Sequence, residues 1–239
     1  MGRTFVIGDQ HGALKAVIQV LERCQYNSDT DLLINLGDIV DGWSESSELV
    51  QFYINLAKNS LQKPIFIKGN HDDYCHQWMK SGEVNENWYY KGGKSTIESY
   101  KRTGYYKKMS HLNFFNEMSD YYLDSKNRGF VHGGFTSKYG LGRDESSTYY
   151  WDRTLWESVN DTAADPIDLE ILEKHLEIYM GHTPTLEWGE ITPMNRYNIW
   201  NLDTGAAYTG KITVMDINTK EFWQSDNVVE LYPYETGRN

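Results

Sequence analysis

Residues 32–42 read Leu-Leu-Ile-Asn-Leu-Gly-Asp-Ile-Val-Asp-Gly, and this stretch decides the fold. It begins as a short apolar run that predicts a buried strand, and Gly37 ends that run. Asp38 and Asp41 follow directly, so the pattern predicts carboxylates where a parallel strand meets its loop. Ligands of open α/β sheets bind at that edge of the sheet, which makes this loop the first candidate for a functional site.

Two flanking stretches have the same design. Residues 4–12 read Thr-Phe-Val-Ile-Gly-Asp-Gln-His-Gly, and residues 64–72 read Pro-Ile-Phe-Ile-Lys-Gly-Asn-His-Asp. Apolar residues at helical spacing follow the first loop over 13–23. Apolar residues at helical spacing also follow the loop that contains Asp38 and Asp41, with Ser46 or Ser47 as the expected N-cap of that helix. Alternating strands and helices therefore predict an α/β fold with a mainly parallel sheet.

The rest of the chain is predicted to extend a single domain over residues 1–239. Residues 80–120 lack strand patterns and predict a helical insertion, with weak helices at 96–101 and 111–118. A long loop is expected over 135–150 and a helix over 166–176. Further strands, some of them in antiparallel pairs, are expected at 121–124, 128–131, 177–180, 198–202, 211–217 and 221–224.

Charge and cysteine content narrow the possible partners. The 239 residues carry a formal net charge of −11, which argues against binding to extended nucleic acid or to an anionic membrane. No uncharged apolar run approaches the length of a membrane span, and no signal-peptide pattern is present. Cys24 and Cys75 lack metal-site spacing and are expected to be buried thiols of a reducing compartment. We therefore expect a cytoplasmic protein.

Polar side chains able to bind metal recur at the predicted strand ends: Asp9, His11, Asp38, Asn70, His71, His132 and His182. Carboxylate, imidazole and amide ligands together suit Mn, Fe or Zn better than Ca. The set is large enough for two metal ions that share one carboxylate. Such a pair activates a bridging water and binds a phosphoryl group for in-line displacement.

Five blocks of the chain, in this order, resemble the calcineurin-like metallophosphoesterases: residues 8–12, 37–41, 69–72, 131–134 and 181–183. The similarity is greatest to the phosphoprotein-phosphatase branch, with its bacterial and phage members, and it covers residues 4 to about 216. It implies a four-layer α/β/β/α sandwich of two mixed sheets, the metallophosphoesterase fold. It also implies a hydrolase in which a metal-bridged water attacks phosphorus.

The resemblance assigns a role to each site residue. One metal is bound by Asp9 and His11, Asp38 bridges both metals, and the second metal is completed by Asn70, His132 and His182. His71, held by Asp41, protonates the leaving oxygen or orients the substrate. Arg153, within Trp-Asp-Arg, binds the phosphate.

The second block departs from the family pattern. It normally continues Asp-Arg-Gly, and this arginine also binds the phosphate, but here Asp41 is followed by Gly42, Trp43 and Ser44. One of the two arginines that bind the phosphate in this family is therefore missing from this chain. Lys68, Arg143 or another side chain is expected to replace it. Trp43 is interpreted as an aromatic wall beside the site.

Three functions are compatible with this sequence. The leading hypothesis is a serine/threonine-type protein phosphatase, and the second is a nucleotide or dinucleoside polyphosphate hydrolase in which Trp43 and Trp88 stack a base. The third is a catalytically silent protein that binds phosphorylated partners, against which the His71–Asp41 pair argues. The sequence Asp-Thr-Gly at 203–205 is expected to shape a turn, and His76, His111 and His175 are expected to be solvated or to cap helices.

Overall fold

Two mixed sheets of five strands form the centre of the computed structural model, which describes residues 2–160 and 169–238. The strands are β1 Thr4–Ile7, β2 Leu32–Asn35, β3 Ile65–Phe66, β4 Tyr121–Leu123, β5 Gly129–Val131, β6 Ile178–Met180, β7 Met194–Arg196, β8 Ile199–Asn201, β9 Thr213–Asp216 and β10 Phe222–Gln224. The α-helices are α1 Leu14–Arg23, α2 Ser46–Asn59, α3 Asn70–Ser81, α4 Glu86–Trp88, α5 Lys94–Thr103, α6 Met109–Asn116, α7 Ser146–Trp151, α8 Thr154–Asn160, α9 Leu169–Leu172 and α10 Val228–Leu231.

The two sheets have related topologies. The first has the strand order β10-β9-β1-β2-β3 and the second the order β4-β5-β6-β8-β7. Each contains three parallel strands, β1, β2 and β3 in the first and β5, β6 and β8 in the second, whereas the other pairs are antiparallel. Six parallel strands therefore present their carboxyl ends, where loops leave the sheets and ligands can bind.

The predicted four-layer α/β/β/α sandwich is confirmed, and β1 shows why its sequence is apolar throughout. Phe5 and Ile7 pack in the core shared with α1 and α2, whereas Val6 packs between the two sheets with Phe130 and Tyr179. Successive residues of a strand point to opposite faces, so a strand buried on both faces needs an uninterrupted apolar run. A third core lies between the second sheet and helices α7 and α8.

Helices occupy the described segment between β3 and β4, which includes the residues 80–120 of the predicted insertion. The expected helices at 96–101 and 111–118 correspond to α5 and α6, and the described chain between Asn70 and Asn116 contains no strand. The helical region begins earlier than expected, because α3 starts at Asn70 directly after β3. That the whole chain forms one domain stays a prediction.

Three local predictions are wrong. The loop expected over 135–150 is shorter because α7 begins at Ser146. Glu45, rather than Ser46 or Ser47, is the N-cap of α2. The helix expected over 166–176 begins outside the described residues, and its described part, α9, ends at Leu172. There the side-chain amide of Asn198 donates to the backbone oxygens of Leu172 and His175, which satisfies them without a further helical turn.

The expectation that His76, His111 and His175 are solvated or cap helices is also wrong, because all three are buried. Each ring has a hydrogen-bond partner: Asn116 Oδ1 for His76, the Tyr100 hydroxyl for His111, and the backbone N–H of Leu141 for His175. Burial lowers the pKa of each imidazole, so these rings are neutral polar members of the core.

Of the helices that the structure describes, none has the length and apolar character needed to cross a membrane.

Candidate active site

The loops after the parallel strands turn back over the sheet edge through an unusual backbone conformation. His11, Asp38, Asp41 and His182 have φ angles of 50°, 51°, 75° and 71°. Few residues other than glycine adopt positive φ, and holding one there costs about 1–3 kcal/mol. Hydrogen bonds between loops support this geometry, because the backbone N–H groups of Gln10 and His11 donate to the oxygen of Asp38 at 3.0 and 2.9 Å.

Two glycines let the backbone approach the carboxylates. A Cβ atom at Gly69 would lie 2.1 Å from Oδ1 of Asp38, and one at Gly181 would lie 2.1 Å from Oδ1 of Asp9. The close approach allows a backbone amide that follows each glycine to bind the acid. His71 N donates to Asp38 Oδ1 at 3.0 Å, and His182 N donates to Asp9 Oδ2 at 3.2 Å. The glycines that the sequence places at these strand ends therefore orient both acids.

The first candidate metal group consists of Asp9, His11 and Asp38, whose ligand atoms lie within 4.8 Å of one another. His11 Nε2 lies 3.7 Å from both Asp9 Oδ2 and Asp38 Oδ2. Its Nδ1 lies 3.2 Å from the backbone oxygen of Val40, which can only accept a hydrogen bond. The proton therefore sits on Nδ1, and the lone pair of Nε2 points toward the carboxylates, as metal binding requires.

The second candidate metal group consists of Asp38, His132 and His182, so Asp38 belongs to both groups. His132 Nδ1 donates to the oxygen of Leu36 at 2.8 Å, and its Nε2 lies 3.3 Å from Asn70 Oδ1 and 3.4 Å from Asp38 Oδ1. His182 Nε2 is buried and has no hydrogen-bond partner in the described part of the chain. A buried nitrogen of this kind is rare unless it serves a ligand, so this donor set fits a metal ion.

Burial sets the ionisation of these groups. It raises the pKa of Asp9 to about 7 and that of Asp203, in the turn at 203–205, to about 8. Burial alone would raise the pKa of Asp38 too, but His132 and His71 hold it well below its usual range. Burial lowers the pKa of His11 to about 4. A bound cation would favour the charged forms of Asp9 and Asp203, which burial disfavours.

His71 and Asp41 form a hydrogen-bonded pair beside these groups. His71 Nδ1 lies 2.6 Å from Oδ2 of Asp41, and the carboxylate is fully buried. Two more donors hold Asp41: the indole nitrogen of Trp88 at 2.5 Å and the hydroxyl of Thr96 at 2.6 Å. With Nδ1 bonded to a fixed carboxylate, the orientation of the imidazole is set and its Nε2 remains for chemistry.

Trp88 and Trp43 do not have the positions that the sequence suggested. Both side chains are buried, at 1% and 0% exposure, so neither can stack a base or form an aromatic wall. The indole of Trp43 donates to the oxygen of Ala206 at 2.8 Å and stacks on Tyr232. An exposed aromatic side chain does occur near the second group: Trp151 is 44% exposed, and its ring centre lies 6.4 Å from that of His182.

We expect Trp88→Phe to destabilise the protein because it leaves a buried carboxylate with one donor fewer. A hydrogen bond to a charged group contributes about 1.5–3 kcal/mol, and the free energy of unfolding in urea should fall by that amount. Trp78→Phe is the matched control, since Trp78 packs on Trp88 and Tyr100 in the same aromatic cluster and its indole N–H makes no hydrogen bond within the described residues. Equal losses for the two variants would mean that the Trp88–Asp41 hydrogen bond contributes nothing.

Of the three predicted phosphate-binding cations, the structure brings Arg153 to the site. Its Nη1 donates to the backbone oxygen of His182 and to the hydroxyl of Thr183, both at 2.8 Å. The ammonium of Lys68 instead lies over the ring of Tyr150, 5.9 Å from its centre. Arg143 is exposed at a separate cavity lined by Ser137 and Tyr139. Neither replaces the guanidinium that position 42 lacks.

Comparison with known proteins identifies relatives of this arrangement. A family model described as calcineurin-like phosphoesterase matches residues 2–214. A symmetrical bis(5'-nucleosyl)-tetraphosphatase of Marinomonas sp. (strain MWYL1) is 36% identical over 69 residues, which are 29% of this chain and 24% of that protein. Serine/threonine-protein phosphatase 2 of Salmonella typhimurium is 32% identical over 91 residues, 37% of this chain and 38% of that protein.

A solved structure extends the similarity over most of the chain. A protein provisionally named a diadenosine tetraphosphatase has a TM-score of 0.69, with 95% of this chain and 94% of that chain covered. The sequence identity is 14%, so this similarity concerns the fold alone. The matched parts of the two sequence relatives span about a quarter and 38% of their respective lengths.

Proposed function

The chain belongs to the calcineurin-like phosphoesterase family, and on that basis we propose that it is a phosphoester hydrolase of the serine/threonine protein phosphatase type. The observation that carries the proposal is the position of Asp38, whose carboxylate belongs to both candidate metal groups. A carboxylate shared between two cation sites would hold two ions close together, which fits two-metal hydrolysis of phosphoesters.

The two groups would hold two ions. Asp9, His11 and Asp38 would bind one, and Asp38, Asn70, His132 and His182 would bind the other. Nitrogen and carboxylate ligands in this proportion suit Mn, Fe or Zn. When bound, such ions lower the pKa of a water and withdraw charge from the phosphoryl oxygens.

His71 would deliver a proton to the leaving oxygen, because its imidazole is oriented by Asp41 and no residue that the structure describes bonds its other nitrogen. An imidazole supported by a carboxylate is a suitable general acid near neutral pH. Arg153 would bind the phosphoryl oxygens, since its guanidinium is held at His182 and Thr183 by a single nitrogen. Its remaining N–H groups can then donate to an anionic oxygen.

The test is phosphate release from three substrate panels with added manganese: phosphoserine and phosphothreonine peptides, dinucleoside polyphosphates and a nitrophenyl phosphate. We expect the highest kcat/KM on the phosphopeptides and loss of turnover after metal chelation. Failure to hydrolyse any panel would overturn the proposal and favour a silent phosphate-binding protein.

Hydrolysis of dinucleoside polyphosphates is the second candidate function, and Trp151 is the observation that favours it. This exposed indole lies beside His182, where an aromatic base could stack on it. The relative from Marinomonas carries the corresponding name. A preference for dinucleotides that Trp151→Ala removes would establish this function in place of the first.

We expect Arg153→Ala to lower kcat/KM on a phosphomonoester by roughly 10- to 100-fold, because a charge-assisted hydrogen bond is worth about 1.5–3 kcal/mol. Arg143→Ala is the matched control, since Arg143 is exposed away from the cluster, and its effect should stay within about threefold. Steady-state kinetics of both variants decide the point. Similar values for the two variants would show that Arg153 does not bind the substrate.

The proposed substrates are phosphorylated proteins or small phosphoesters, and a cytoplasmic location forms part of the proposal. The cytoplasmic location is supported by Cys24 and Cys75, whose thiols are buried and form no disulfide bond. Unpaired thiols are typical of proteins in reducing compartments.

A further inference from the structure

The family has an arginine at the position of Gly42, and in this chain a side chain from another segment occupies that space. Gly42 has a φ of 119° and no side chain, which leaves space beside Asp41 and His11. Arg238 enters this space: its Cγ lies 3.3 Å from the point where a Cβ of Gly42 would stand and 3.0 Å from the corresponding point at Gly92. Asp41 Cβ is 3.2 Å from that same point at Gly92, so Arg238 passes next to the carboxylate that holds His71.

The segment 232–238 is fixed to the residues that follow Gly42. Tyr232 stacks on Trp43 with 5.3 Å between the ring centres. Glu235 accepts hydrogen bonds from the backbone N–H and the hydroxyl of Ser44, at 2.9 and 2.7 Å. Trp43 and Ser44, which depart from the family pattern, thus form the surface on which segment 232–238 packs.

The backbone next to Arg238 is also held in place. Gly237 has a φ of 67°, and a Cβ there would lie 2.8 Å from the indole of Trp43, so only glycine fits. The N–H of Arg238 donates to the oxygen of Ala207 at 2.8 Å. These contacts aim the Arg238 side chain at Gly42 instead of leaving it to sample solvent.

The guanidinium of Arg238 is available to an anion. It is half-buried and donates no hydrogen bond to any part of the chain that the structure describes, and its central carbon lies 5.7 Å from the centre of the Tyr208 ring. The point where a Cβ of Gly42 would stand lies 3.3 Å from Arg238 Cγ and 3.4 Å from His11 Cβ, so the Arg238 side chain runs beside a residue of the first metal group.

We propose that Arg238 binds the phosphoryl group of the substrate at the first metal group, and so supplies from segment 232–238 the guanidinium that position 42 lacks. This inference rests on the proposed hydrolase function. Arg153 and Arg238 then flank the cluster, one beside His182 and the other beside His11. An open cleft of about 1170 Å³, lined by Gly42, Tyr90, Ser95, Tyr234 and Arg238, begins at this point and can accept the rest of the substrate.

The test compares Arg238→Ala with Arg196→Ala, a control in which an exposed arginine on edge strand β7 is removed. Phosphate affinity is measured by calorimetry on the manganese-loaded proteins, and kcat/KM on a phosphomonoester. We expect Arg238→Ala to weaken both by roughly 10- to 100-fold with an unchanged metal content, and Arg196→Ala to leave both within about threefold. Millimolar guanidinium should restore part of the activity of Arg238→Ala.

Unchanged phosphate affinity in Arg238→Ala would overturn the inference, whether or not the protein turns over a substrate. An inactive wild-type protein whose phosphate affinity depends on Arg238 would overturn the hydrolase function and keep the inference. Glu235→Gln provides a second arm, because it weakens the contact with Ser44 without touching Arg238. We expect it to lower phosphate affinity in the wild type but to add nothing in the Arg238→Ala background.

Discussion

Asp38→Asn is expected to abolish turnover and to lower the metal content while the fold is retained. The carboxylate of Asp38 belongs to both candidate metal groups, so one substitution removes negative charge from two cation sites. An amide can offer one neutral oxygen but cannot neutralise two ions. Stabilisation by such ions is worth several kcal/mol, so we expect kcat/KM to fall by at least about 10³-fold. Kinetics with excess manganese and elemental analysis of the purified variant measure the two effects.

Asp31→Asn is the matched control for this experiment. Asp31 precedes β2 and Asp38 follows it, and both carboxylates are buried. Asp31 binds the guanidinium of Arg3 at 2.8 Å, so its replacement should lower stability but leave metal content and turnover intact. Two ions retained per chain in Asp38→Asn would contradict the shared-ligand role.

His71→Asn is expected to lower turnover on an alkyl phosphate by about 10²–10⁴-fold while both metals stay bound. The backbone N–H that His71 donates to Asp38 survives the substitution, so the metal groups keep their support. Proton transfer to the leaving oxygen is lost with the imidazole. The loss should be much smaller for a nitrophenyl ester, whose leaving oxygen needs little protonation. The ratio of the two losses is therefore the quantity to measure.

His76→Asn serves as the control, because His76 lies on the same helix and its ring bonds Asn116 instead of the cluster. It should alter stability without changing the ratio between the two esters. A proton donor must show this dependence on the leaving group. If His71→Asn lowered both rates equally, His71 would orient the substrate rather than act as an acid.

The sequence predicted those parts of the fold and site that follow from local patterns. Apolar runs that end in glycine located β1, β2 and β3, because a strand buried on both faces has few other sequence solutions. The candidate metal groups followed from the polar residues after these runs, since parallel strands must bring their carboxyl ends to one edge. Local spacing was sufficient for both inferences.

Contacts between distant parts of the chain were not predictable in this way. The Trp88–Asp41 hydrogen bond joins residues 47 positions apart, and no local pattern distinguishes a tryptophan that serves a buried acid from one that stacks a base. Arg238 lies almost 200 positions from Gly42 in sequence. The missing arginine marked where a cation was needed, but only tertiary structure shows which residue reaches that position.

The left-handed backbone at His11, Asp38, Asp41 and His182 has a consequence for the stability of this chain. At about 1–3 kcal/mol each, these four conformations together cost an amount comparable with the 5–15 kcal/mol by which domains are typically stable, and interactions elsewhere in the fold must offset that cost. Glycine would relax the backbone at each position but would remove a side chain that the site needs. The side chains of the proposed site therefore keep the protein below the stability it could reach.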